Sequence, residues 1–253
     1  MALLKDQPIS CLADWMAYDS KLSILSEQET TSIDSKSRLA QNEIETQVIS
    51  FLLRHSGSSD SAARQLITKV TVTEALSRWH SMLTLALFYA DLAALQNSSL
   101  HRDQSRYYEI KAEAAREQLF DTGLGIVNLP IPKAPIPLVV STPGANQSRL
   151  LRGRIRFVNS DGAAGAPGAE FLLDMTAGEY ISVSVASLPP NCSGWLLFLG
   201  ETSELLFLST PAAIAAGTPL AISGDMPSPN NPALNIDAQP ADRFIRYSTE
   251  LWR

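Results

Sequence analysis

The chain has 253 residues, 45% of them apolar and 18% charged, and a formal net charge of −6. That length suits two modest domains rather than one, and the apolar share excludes a disordered chain. The acidic balance offers no general attraction to phosphate backbones or anionic membranes, which argues against a protein that grips nucleic acid or coats a bilayer.

The opening MALLKDQPIS has no basic stretch followed by an apolar run, so export through a secretory signal is not expected. Residues 8 to about 130 carry apolar side chains at three- and four-residue spacing, as amphipathic helices do. A first helix holds Leu12, Trp15, Met16, Leu22 and Leu25. A second begins near Ser32, sets Ile33, Leu39, Ile44, Val48, Phe51 and Leu52 on one stripe, and stops at the polar run from His55 to Ser59. Thr71-Val72-Thr73-Glu74 reads as a capping box in which Thr71 accepts from the amide three residues on. The helix it opens, Leu76 to Leu95, is apolar almost all round and is expected to be the central one. Its most apolar window, from Trp79, is interrupted by His80 and Asp91 and falls short of the roughly 20 apolar residues of a membrane span. A fourth helix follows, capped by Asp103, with Tyr107, Ile110, Ala114 and Leu119 or Phe120 facing inward, and Gly123 stops it.

Pro130, Pro132, Pro135 and Pro137 then remove amide donors and fix φ, so neither a helix nor a central strand can form there and a stiff connector is expected. Beyond Pro143 the pattern alternates. Leu151, Ile155 and Phe157 fall on one face of a strand and Arg152, Arg154 and Arg156 on the other, and the Arg row is a candidate subunit-interface surface or a solvated outer face. Further strands are expected at Glu170 to Asp174, Tyr180 to Ala186, Trp195 to Gly200, Leu205 to Ser209 and Leu220 to Ile222, spaced by Gly and Pro as in an immunoglobulin-like sandwich. From Met226 the chain is rich in Pro and Asn and reads as an extended arm. It ends with Phe244, Tyr247, Leu251 and Trp252, which either fold back onto the sandwich or dock into another subunit. The expected class is α+β in separate domains: a helical bundle over 1–128, a linker over 129–148, a β-sandwich over 149–225 and an arm over 226–253.

Chemistry-bearing patterns are scarce. His55, His80 and His101 have no metal-ligand spacing and no cysteine pair beside them, and His80 next to Trp79 reads as a packing residue with a satisfied ring. Cys11 and Cys192 form neither a disulfide framework nor a metal cluster, which fits a reducing compartment, and three Asn-x-Ser triplets read as chance. No nucleophile elbow or phosphate-cradling glycine loop occurs, and carboxylate pairs such as Glu43 with Glu45 lie on polar helix faces. No catalysis, metal or cofactor is expected.

Two segments resemble known virion proteins. The apolar helix from Trp79 to Leu95, followed by Arg106-Tyr107-Tyr108 through Ala112, Ala115 and Leu119 to Gly123, is similar to the helical bundle of the head-to-tail connector (adaptor) proteins of tailed phages. Arg154 to Gly162, then Gly165-Ala166-Pro167-Gly168, then Pro189 to Gly200 with Trp195, resembles the fibronectin type III-like modules appended to phage virion proteins. The resemblance implies a structural protein of the virion neck, assembled in the host cytoplasm. It implies a ring of twelve copies that contacts a portal protein above and a stopper or tail-terminator protein below, while DNA passes through the lumen without sequence-specific binding. Phe244, Tyr247, Leu251 and Trp252 would then be the partner-docking residues of the arm. The alternative is a tail or baseplate attachment protein whose sandwich binds carbohydrate or another virion protein, with Trp195 and Tyr180 exposed together in a groove rather than Trp195 filling the core.

Overall fold

The structure is a computed structural model and describes residues 2–6, 8–22, 24–25, 32–56, 59–144, 148–175, 179–222, 225–235 and 238–246. The fold is α+β in separate regions, a helical region followed by β-sheets. By contacts it divides into a helical unit of residues 3–128 rejoined by the chain from Ala241, and a sheet unit of residues 129–240. Ala2 also groups with the sheet unit, and further along the chain passes between the units after Asn128 and again after Pro240.

The helical unit opens with a 3-10 turn at Leu4–Asp6, then α1 (Leu12–Met16), α2 (Ile33–Ser56), α3 (Asp60–Ile67), α4 (Glu74–Gln96) and α5 (Ser99–Thr122). Helix α4 is central, with Leu76, Trp79, Leu85, Phe88, Tyr89 and Leu92 buried. Its N-cap is Thr73, whose hydroxyl accepts from the Leu76 amide at 3.4 Å. Thr71 is not the cap: its hydroxyl has no hydrogen-bond partner among the described residues, and its amide, which Glu74 would have to reach, is engaged with the Gly125 carbonyl at 3.0 Å. Only two residues join α4 to α5. Asn97 takes the left-handed conformation at φ 48° to end one helix, and the Ser98 hydroxyl accepts from the His101 amide at 3.4 Å to start the next. That pair makes a cap at Asp103 unnecessary, and the helix begins a full turn earlier.

The inward stripe of α5 is Ser105, Tyr108, Ala112, Ala115 and Leu119. Tyr107, Ile110 and Ala114 face solvent instead, because the buried positions are their neighbours on the wheel. In α2, Leu39 is likewise exposed, and Ala40 with Gln41 takes its place at the core. Phe51 of α2 stacks on Phe120 of α5 with ring centroids 4.5 Å apart, closing the far end of the bundle.

After Gly123 the chain forms β1 (Leu124–Ile126), wholly buried. It pairs antiparallel with the last strand among the described residues, β9 (Arg243–Ile245), with Leu124 opposite Ile245 and Ile126 opposite Arg243. An isolated bridge links Ile126 to Val70, and another links Thr71 to Leu3. The C-terminal segment thus returns to the helical unit, a course that neither reading of the arm anticipated.

The sheet unit holds β2 (Leu138–Thr142), β3 (Leu150–Val158), β4 (Phe171–Asp174), β5 (Tyr180–Ser184), β6 (Gly194–Thr202), β7 (Leu205–Leu208) and β8 (Leu220–Ile222). The order is β2-β5-β8 in one sheet and β4-β3-β6-β7 in the other, all antiparallel. Both sheets feed one core built around Leu151, Ile155, Leu173, Val183, Trp195 and Leu197. The second sheet and the β2-β5 pair follow the C′-C-F-G and B-E orders of immunoglobulin-type sandwiches. No strand corresponds to strand A among the described residues, and β8, last in sequence, takes the edge that strand D holds there.

Two segments expected to stand clear of the sandwich are part of it. Residues 130–137 form no regular element, yet Ile131 and Ala134 are buried in the core, and Gly165 lies so close that an added Cβ would sit 2.7 Å from the Ile131 side chain. Prolines stop the segment from pairing as a strand without stopping its apolar residues from packing. The Pro- and Asn-rich run beyond Met226 covers the open edge of β7: the Leu208 amide donates to the Pro232 carbonyl at 2.9 Å and the Leu234 amide to the Leu206 carbonyl at 2.7 Å.

Candidate functional site

The arginine row lies on the outer face of β3, opposite Phe198 and Leu196 of β6 in register. Arg152 donates to Glu170 Oε1 at 2.5 Å, and Arg154 Nη2 is 3.7 Å from the other oxygen of the same carboxylate. Desolvation pushes the Glu170 carboxyl up, but hydrogen bonds from Arg152 and Ser203 and the charges of Arg152 and Arg154 outweigh it and leave it below its ordinary range. Arg156 is buried and spans two loops, its Nε donating to the Gly165 carbonyl and its Nη1 to the Asn235 carbonyl, each at 2.9 Å. Arg152 and Arg156 are thus engaged within the chain, whereas the buried Nε of Arg154 has no hydrogen-bond partner among the described residues. A guanidinium's fixed fork suits it to bridging carbonyls that no strand partner reaches.

Of the four C-terminal residues, Tyr247, Leu251 and Trp252 lie outside the described residues. Phe244 is in the middle of β9, opposite Gly125, and is 51% exposed. Two side chains fix this strand in place. Arg246 Nε donates to the Thr122 carbonyl at the end of α5, at 2.9 Å, and the Asp242 carboxylate accepts from the Asn128 amide at 2.7 Å. Gly123, at φ 110°, and Gly125 leave room for this approach, since a Cβ at Gly125 would lie 2.6 Å from Thr71 Oγ1 and 3.0 Å from the Ala241 Cβ.

A buried polar relay, not foreseen from the sequence, ties the N-terminal segment to the bundle. Ser10 Oγ lies 2.6 Å from His80 Nδ1 and accepts from Trp15 Nε1 at 2.7 Å, while His80 Nε2 meets the Ser37 carbonyl at 3.0 Å. With a carbonyl on Nε2, that nitrogen carries the proton and Nδ1 accepts from Ser10. Burial holds the His80 pKa down to about 4 despite the Ser37 hydrogen bond. Ser10 and His80 have the partners of a nucleophile and base, but both are buried and the serine is occupied by an indole, so the arrangement is one of packing. Nearby, the Asp19 carboxylate accepts from the Tyr89 hydroxyl and from that of Tyr108 at 3.4 Å. Burial first, and that carboxylate second, push the Tyr89 hydroxyl far up and that of Tyr108 to about 12.

Among the described residues no three His, Cys, Asp or Glu side chains converge as a metal site, and no helix is long and apolar enough to cross a membrane. The His55 side chain lies outside the described set, and His101 meets Gln96 Oε1 at 3.1 Å. A cavity of about 570 Å³ between α2 and α5 mixes Arg54 and Arg116 with Glu117 and Asp121 and so selects no one charge. Trp195 is fully buried in the sandwich core while Tyr180 is exposed, so the two do not share a groove. No protein-family model, curated protein or solved structure matches the chain.

Proposed function

We propose that this chain is a structural protein of the phage neck, a head-tail connector that forms a ring between portal and tail and gives passage to DNA. The observation that carries this reading is the course of the C-terminal strand. Past the sandwich, the chain comes back to the helical unit as β9, presents Phe244 outward, and continues into Tyr247, Leu251 and Trp252. An aromatic run issuing from a strand that is stapled to the bundle is a ready docking arm for a portal protein. Its anchor is held by strand pairing and its far end carries Tyr247, Leu251 and Trp252 among polar residues. The likeness of the α4–α5 sequence to adaptor bundles supports the same reading, and the sandwich would brace the neck or decorate its outside. The carbohydrate-binding alternative loses its main support with Trp195 in the core.

The test is native mass spectrometry and negative-stain imaging of the purified chain with its cognate portal. Ring-shaped oligomers bound to the portal are expected, and monomers alone at all stoichiometries would overturn the reading. A chain truncated after Arg246 keeps β9 and both units and is expected to lose portal binding. Unchanged binding would remove the arm from the mechanism.

A further inference from the structure

Helix α5 carries two apolar stripes, and the helical unit consumes one. Tyr108, Ala112, Ala115 and Leu119 are buried, whereas Leu100, Tyr107 and Ile110 are 64%, 55% and 64% exposed and Ala114 is exposed beside them. At 100° per residue these four fall within a sector about 80° wide, a stripe narrow enough to be the seam of a helix pair. Asp103 and Asp121 both fall inside the sector and limit how much of the first and last turns can be buried, leaving the stretch from Tyr107 to Ala114 as its apolar middle.

The flank of the stripe shows what covers it. Along one side run Arg102, Arg106, Glu113 and Glu117, all exposed, basic in the N-terminal half of the helix and acidic in the C-terminal half. Glu113 pairs with Arg116, while Arg102, Arg106 and Glu117 form no ion pair among the described residues. The other flank has Gln104, Lys111 and Gln118, with Lys111 Nζ 5.4 Å from the centre of the Tyr107 ring. In an antiparallel helix pair, like flanks face each other in reverse order. Arg102 then meets Glu117 of the second helix and Arg106 meets Glu113, both pairs sharing one twofold axis between Glu109 and Ile110. A parallel pair would instead set this flank against glutamines and a lysine, with no such compensation.

We propose that this face of α5 is a self-association surface, on which two copies of the chain pair antiparallel about a twofold axis. Tyr107 of each copy then packs beside Ile110 and Ala114 of the other, and four cross-chain ion pairs fix direction and register. The contact is isologous, so it closes at two copies. It is distinct from the side-by-side contacts of a ring and does not depend on the neck reading: the dimer is a property of the free chain, tested without any portal. Three large side chains per copy put the interface at the small end of specific ones, so association is expected to be weak and reversible.

The experiment is sedimentation velocity of the full chain over a wide concentration range at low and high salt. The expected result is a monomer–dimer equilibrium that weakens with salt. A chain carrying Arg102→Glu with Arg106→Glu, and another carrying Glu113→Arg with Glu117→Arg, should each lose self-association by about tenfold or more. An equimolar mixture of the two should recover it as a heterodimer, which no folding defect in either chain could do. Ile110→Asp, on an exposed position, should abolish the dimer with circular dichroism unchanged. A wild-type chain that stays monomeric throughout, or a dimer that survives Ile110→Asp, would overturn the proposal. A dimer lost on Ile110→Asp that the mixture fails to restore would overturn the antiparallel pairing.

Discussion

The Ser10 hydroxyl and the His80 ring, seventy positions apart in sequence, meet at 2.6 Å in the centre of the helical unit. Burial keeps the imidazole neutral, and with Nε2 donating to the Ser37 carbonyl, Nδ1 accepts from Ser10. Its consequence is a dependence of stability on pH. The folded pKa, about 4, lies below the ordinary 6.5, so the unfolded chain takes up a proton first as pH falls. Stability should be full above 6.5, drop between 6.5 and 4, and level off below, with a loss of about 3 kcal/mol at roughly 1.4 kcal/mol per unit. Urea midpoints of the helical signal across this range measure it. His80→Gln should flatten the dependence, and a profile unchanged by that substitution would show that other groups cause it.

Arg156 joins β3 to two loops through the carbonyls of Gly165 and Asn235. Arg156→Met keeps the apolar stem but removes the guanidinium that donates to both carbonyls. The expected cost is about 1.5–3 kcal/mol per lost charge-assisted bond in isolation, less where water enters. The run beyond Met226 should also become cleavable by protease while the core strands remain protected. Arg152→Met, at a half-exposed position beside Glu170, should cost no more than about 1 kcal/mol. Limited proteolysis with mass mapping separates the two variants.

Trp195 is completely buried, and its indole N–H reaches the Ala215 carbonyl at 3.4 Å. Trp195→Ala should cost about 3–5 kcal/mol and Trp195→Phe distinctly less, read from chemical denaturation of the sheet unit's signal. Saccharides should leave the tryptophan emission of the wild type unchanged. A saturable shift would revive a binding role for the sandwich.

Element type was legible wherever one face of a regular element decides burial. The alternation of β3 and the apolar girth of α4 are visible in the residues themselves, as is the stop at Gly123. What escaped was set by partners remote in sequence. Ser10, Ser37 and His80 carry no local pattern, and β1 and β9, three residues each, are strands only because they find one another 119 positions apart, Leu124 pairing with Ile245 and Gly125 with Phe244. The stripe of α5 misled for a different reason: Tyr107, Ile110 and Ala114 have helical spacing and apolar character, as do Tyr108, Ala112, Ala115 and Leu119, and only packing against α4 decides which set turns inward.

The glycine at 125 allows that long-range pairing. Its missing side chain is the space in which Thr71 Oγ1 and the Ala241 Cβ sit, so a valine there meets atoms that no rotamer can avoid. The Thr71 hydroxyl has no hydrogen-bond partner among the described residues, so it is free to turn aside, whereas Ala241 belongs to the segment that delivers β9. Gly125→Val should therefore displace β9 before it disturbs the helices. The expected cost is about 1–3 kcal/mol, with amide exchange accelerated at Leu124 and Ile245 and little changed in α4. Hydrogen exchange with mass spectrometry reads both regions in one experiment. If β9 stayed protected while α4 opened, Gly125 would matter to the helices more than to the strand that pairs with it.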